Sequence, residues 1–212
     1  MKNFSRIDFD LVIGREQLAE LQQLLQSSQS LSERNDILPF FRERLHLSAS
    51  VGLYHPDIIL PDMLAFEYDI FGDFASDLVV GDSVNHSYCF VEFEDASPNS
   101  IFVSKAGRST PDWSPRFEHG YSQIVDWFWK LSDLERTEDF QNRFNSRSID
   151  YIGLLIIGRR ENLALREQTR LDWRQKKTVV NSKQIKCITF DELYDDLLRR
   201  ITQYQFVIRR DN

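Results

Sequence analysis

The sequence predicts an α/β (α+β) fold: a mixed central sheet flanked by helices, preceded by an N-terminal helical segment. Three observations carry this. Residues 16–27 and 117–131 place apolar side chains at helical spacing. Residues 77–94, DLVVGDSVNHSYCFVEFE, alternate with strand period around a polar turn. Residues 151–158, YIGLLIIG, form an unbroken apolar run, the pattern of a strand buried on both faces. The 212-residue length accommodates a helical segment over 1–59 and a domain over 60–212.

In chain order, EQLAELQQLLQS (16–27) aligns Leu18, Leu21, Leu24 and Leu25 on one helical face. A serine-rich break follows, with Ser32 placed to cap the next helix. ILPFFRERLHL (37–47) is expected to be helical after Pro39, and HPDIILPD (55–62) an extended connector. MLAFEYDIF (63–71), with Pro61 before it and Gly72 after it, suits a short helix. DLVVG (77–81), YCFVEFE (88–94) and SIFVS (100–104) are strand candidates. The helix over 117–131 carries one stripe of Phe117, Tyr121, Ile124, Val125, Phe128 and Leu131. After the 151–158 strand come a basic stretch, a strand over 185–190 and an amphipathic helix over 190–201. The core order is therefore α-β-β-β-α-β.

Composition narrows the function classes. A 42% hydrophobic, 13% aromatic chain is not disordered. Cys89 and Cys187 both lie in apolar runs without CxxC spacing, which reads as reduced core cysteines in a cytoplasmic protein and gives zinc no support. MKNFSRIDFD lacks the apolar stretch of a signal peptide, and no run is long enough to span a membrane. Net charge −7 argues against broad nonspecific nucleic-acid binding. Residues 158–177 depart from that balance, with seven basic against three acidic side chains. Arg159, Arg160, Arg174, Lys176 and Lys177 are thus candidate phosphate contacts; a solvated helix face is the plainer reading. His46, His55, His86 and His119 show no metal-ligand spacing, and no G-x-S-x-G or Cys/His nucleophile pattern is present.

The 77–94 hairpin contains an electrostatic problem. If DSVNHS (82–87) is the turn, Gly81 pairs with Tyr88 and Asp77 falls opposite Glu92. Like charges directly opposite one another, with Cβ atoms about 5 Å apart, destabilise a strand pair. Asp77, Val79, Phe90, Glu92 and Glu94 share one face; Leu78, Val80, Cys89, Val91 and Phe93 share the other, an apolar core face. Two carboxylates so placed suit a hard divalent cation, which needs one or two of them. An exposed acidic sheet face is the competing reading.

An Asp followed on the next strand by an acid-x-acid unit resembles the PD-(D/E)XK nuclease motif. Gln123 and Trp127 in SQIVDW lie one helical turn apart and resemble the Gln-x-x-x-Tyr signature of RecB-like nucleases. The order FEYDIFGDFASDLVVGD, CFVEFEDASPNSIF, FEHGYSQIVDWFW, YIGLLIIGRR, ITFDELYDDLLRRI is similar to the C-terminal domain of the Shedu antiphage-defence family over about residues 60–205. That resemblance implies a PD-(D/E)XK core and a Mg2+- or Mn2+-dependent DNA endonuclease or nickase that assembles as a homo-oligomer. It implies Asp77, Glu92 and the Phe93 carbonyl as metal ligands, Gln123 as an orienting group and Glu67 as an additional acid. The motif's lysine position is Glu94 in this chain. Lys105 is the candidate substitute; alternatively Glu94 enlarges the acidic cluster and the metal alone activates water. A nuclease fold without hydrolysis, binding nucleic acid or a partner as a sensor or assembly domain, is the second expectation.

Overall fold

The computed structural model describes residues 4–208. After a two-residue strand β1 (Ser5–Arg6), helix α1 (Leu11–Ser27) starts where the Asp10 carboxylate accepts the Val12 and Ile13 N–H groups. It buries Gly14, Leu18, Leu21 and Leu25, a single helical stripe. Ser32 caps a turn of π-helix (Glu33–Ile37) through the Asn35 N–H. The expected helix over 37–47 is two helices, α2 (Leu38–Glu43) and α3 (Leu45–Val51). The break at Arg44 has its own bonds: the guanidinium stacks on the Phe40 ring at 3.8 Å and bonds the Phe40 carbonyl, and Ser48 Oγ takes the Phe41 carbonyl.

Residues 63–71 are a strand, β2 (Met63–Ile70), where a helix was expected. Leu64 faces Val80 and Phe66 faces Leu78, so pairing with the next strand overrides local preference. Gly72 (φ +82°) and Phe71 (φ +55°) turn the chain back as a hairpin instead of closing a helix. β3 (Phe74–Asp82) and β4 (Ser87–Phe93) form the second hairpin, with Gly81 opposite Tyr88 and Leu78 opposite Val91. That is the register read from the alternation. SIFVS contributes only β5 (Phe102–Val103), paired with β6 (Asp112–Trp113) in a separate ribbon. The three core strands are thus β2, β3 and β4. Then follow α4 (Pro115–Leu134), α5 (Glu138–Phe144), β7 (Asp150–Ile156), α6 (Leu165–Lys177), β8 (Val179–Val180), β9 (Lys183–Ile188) and α7 (Phe190–Ile208).

The main sheet has the order β1-β2-β3-β4-β7-β9-β8. β4, β7 and β9 run parallel; the other pairs are antiparallel. Helices cover both faces, as expected for an α/β sheet with parallel central strands. On one face Leu78, Val80, Val91 and Phe93 pack with Leu18, Leu21, Phe41, Leu193 and Leu197 of the N-terminal helices and α7. On the other, Val79, Phe90 and Leu155 pack with Ile124, Trp127 and Phe128 of α4. Each such buried side chain contributes about 1.5–3 kcal/mol. The carboxylate-bearing face of the hairpin is therefore roofed by α4 instead of facing open solvent. No described helix is long and apolar enough to cross a membrane.

Candidate active site

Asp77 and Glu92 stand one step beyond the last paired residues of the hairpin, Leu78 and Val91. The ladder is disturbed at this point. Asp77 Oδ2 accepts the Phe93 N–H at 2.9 Å, and Ser76 Oγ donates to the Val91 carbonyl at 3.0 Å. Across β2, Phe66–Leu78 and Tyr68–Ser76 pair, while Glu67 between them sits at φ +48°. A non-glycine residue in that region is uncommon in a strand and marks local strain.

Helix α4 crosses this end of the hairpin with Arg116, Gly120, Gln123 and Trp127 on one stripe. Gln123 Nε2 donates to Glu92 Oε1, fixing that carboxylate. Trp127 is buried beneath it in the core. Arg116 Nη1 donates to Glu94 Oε2 at 2.7 Å. Gly120 permits the close approach: a Cβ there would lie 2.8 Å from Leu155 Cδ1 and 3.3 Å from Glu94 Oε1. Gly120→Ala is accordingly expected to displace the Leu155 and Glu94 side-chain ends and cost about 1 kcal/mol, the low end of overpacking. Thermal denaturation checks this, and an unchanged Tm would contradict it.

Burial dominates the electrostatics. Glu92 is 7% exposed and Glu94 3%. Burial raises the affinity of both Asp77 and Glu92 for a proton; Asp77 raises that of Glu92 further, and Glu33 that of Asp77. The Phe93 N–H and the Gln123 amide oppose this without cancelling it. Burial pushes Glu94 up to about 7 against the pull of Arg116. Among the described residues, Asp77 Oδ1 and Glu92 Oε2 accept no hydrogen bond. Two such carboxylate oxygens are of the number and hardness that Mg2+ or Mn2+ takes from a protein alongside waters and substrate oxygens. No group of three or more His, Cys, Asp or Glu side chains converges for metal binding among the described residues.

Other expected site residues lie elsewhere. Glu67 belongs to β2, not to a helix, and pairs with Arg42 at 2.9 Å. Lys105 follows β5 in an exposed loop, 2.5 Å from Asp112, and touches none of the three carboxylates. Arg159 is buried: Nε lies 3.0 Å from Asp191 Oδ2, and Nη1 donates to the Leu25 carbonyl at 2.8 Å. These bonds tie it into the core. Arg160 pairs with Asp195 at 2.7 Å. Arg174 pairs with Glu118 at 2.7 Å and lies over the Trp113, Phe117 and Tyr121 rings. Lys176 pairs with Asp172 at 3.0 Å, and Lys177 is exposed.

Glu33, Arg42, Asp95 and Arg116 also border the site and were not expected there. Glu33 N–H donates to Asp95 Oδ1 at 2.8 Å, and its carboxylate raises the proton affinity of Asp77. The bridge between Leu31 and Ala96 holds the N-terminal segment there. No periodicity links residues so far apart in sequence. Arg116 did leave a signal, since it precedes Gln123 by two helical turns on the same face.

No curated protein sequence matches the chain. The description of the Shedu protein SduA C-terminal region matches residues 30–194, most of the domain and part of the N-terminal segment. With the α/β architecture and mixed central sheet in place, the chain belongs to the Shedu antiphage-defence family, through its SduA C-terminal region.

Proposed function

We propose that the chain is a metal-dependent nuclease that cuts or nicks DNA in antiphage defence. One observation carries this reading: two carboxylates, Asp77 and Glu92, are held together at a strained strand end, each with an oxygen lacking a protein donor. Such a pair costs stability unless a proton or a metal cation joins it. Asp77, Glu92 and the Phe93 carbonyl would hold Mg2+ or Mn2+. That ion supplies Lewis-acid charge to the phosphate and lowers the pKa of water beside it.

The chain's own groups complete the site. Gln123 fixes the Glu92 carboxylate so that its geometry survives substrate entry. Glu94, with its proton affinity near neutrality, takes a proton from the attacking water. Assembly into a homo-oligomer is part of the proposal and rests on the family resemblance.

A binding module without hydrolysis is the second reading. It is favoured by Glu94 at the motif's lysine position and by the ion pair that occupies Glu94 in the free protein. Plasmid incubation separates the two. The nuclease reading expects nicked or linear product with Mn2+ or Mg2+ and none with EDTA. Intact plasmid across both ions and a range of protein concentrations would favour the binding module.

A further inference from the structure

Arg116 has no role in the reading above. It lies in the first turn of α4 and faces three carboxylates: Glu94 at 2.7 Å, Asp95 at 3.1 Å and Glu33 at 3.6 Å. Stabilising the buried Glu94 requires one cationic partner, not a cation shared among three acids. Its side chain is 43% exposed, so water reaches it. With Glu94, Asn99, Ser114 and His119 it lines an open cleft of about 380 Å3.

A phosphodiester entering this cleft meets Glu94 on its wall, with the Glu33 and Asp95 carboxylates on the far side of Arg116. One divalent ion offsets part of that charge. Arg42 pairs with Glu67, Lys105 with Asp112 and Arg174 with Glu118, and none of these three lines the cleft. Arg116 is reachable, borders the acids and presents a planar fork that matches two phosphate oxygens. We propose that Arg116 contacts a non-bridging phosphate oxygen of the nucleic-acid backbone in this cleft, exchanging its carboxylate partners for the substrate. This rests on the nuclease reading for the identity of the substrate.

The test uses the full chain and a labelled short DNA duplex. Affinity is measured in Ca2+ over a series of salt concentrations, and single-turnover cleavage in Mn2+. Arg116→Gln is expected to bind at least about tenfold more weakly, with a salt slope smaller by about 0.9, the value of one phosphate contact. Arg116→Lys should keep most of that slope. Glu94→Gln distinguishes a structural role. If Arg116 only neutralises Glu94, the pair Glu94→Gln with Arg116→Gln binds as Glu94→Gln does. If it contacts phosphate, the double variant keeps the deficit and the smaller slope. An unchanged slope in Arg116→Gln, or a wild-type protein that does not bind the duplex, overturns the proposal. Binding with the expected slope change but no cleavage by the wild type defeats the nuclease reading and leaves the Arg116 contact standing.

Discussion

Glu92→Gln melts at a higher temperature than the wild-type protein without divalent ions, and cuts no DNA in their presence. The substitution preserves shape and removes a buried carboxyl that folding forces to hold its proton. In the metal-free protein Glu92 faces Asp77 and lies near Glu94 and Glu33, none of which stabilises its ionised form. Its folded-state proton affinity lies above that of an unfolded carboxylate. The stability this gives is fully present below the unfolded carboxylate range and is lost as pH rises through the higher folded value. At neutral pH the unfolded carboxylate is ionised while folding requires it protonated, so the wild type is past its most stable range and the amide recovers about 2 kcal/mol. For a chain of this size that is roughly 4–8 °C in Tm. Differential scanning fluorimetry in EDTA checks the shift. It also checks the pH trend, which should be flatter in Glu92→Gln. An unchanged or lower Tm at every pH would show that the Asp77–Glu92 repulsion is already compensated in the free protein.

Arg159→Ala unfolds the chain more readily while leaving the salt dependence of DNA binding unchanged in whatever fraction folds. Arg159 joins the end of β7, the start of α7 through Asp191, and the C-terminal end of α1 through the Leu25 and Ser28 carbonyls. Removing one partner of a buried pair strands the other charge and costs about 3–5 kcal/mol. Replacing Arg159 and Asp191 together by apolar residues should recover part of the loss, because no charge is then left alone. A stable Arg159→Ala with a reduced salt slope would instead make Arg159 a phosphate contact.

Both expectations show what local pattern conveys. The β3–β4 register was readable because alternation and turn length have one solution that keeps Leu78, Val80, Val91 and Phe93 on the core side. α4 was readable because its apolar stripe is continuous. β2 was not, because MLAFEYDIF has no strong period of its own and is held as a strand by pairing with β3. Glu33 and Arg42 were invisible for a different reason. They come from the N-terminal segment and meet the hairpin only through tertiary packing. Charge count does not report pairing: Asp191, Asp195, Glu118 and Asp172 pair with four of the five candidate cations of the basic stretch. The same limit hid Arg116, whose spacing from Gln123 is plain but whose three acidic neighbours come from two separate segments.

The central claim is that Asp77 and Glu92 form a divalent-cation site. Anomalous diffraction from crystals of the full chain soaked in Mn2+ tests it most directly. The account predicts a peak bonded to one oxygen of each carboxylate and to the Phe93 carbonyl, at about 2.0–2.3 Å. It also predicts that the peak disappears in Asp77→Asn. A fully soaked crystal with no density between the two carboxylates, or with Mn2+ held elsewhere, would contradict it.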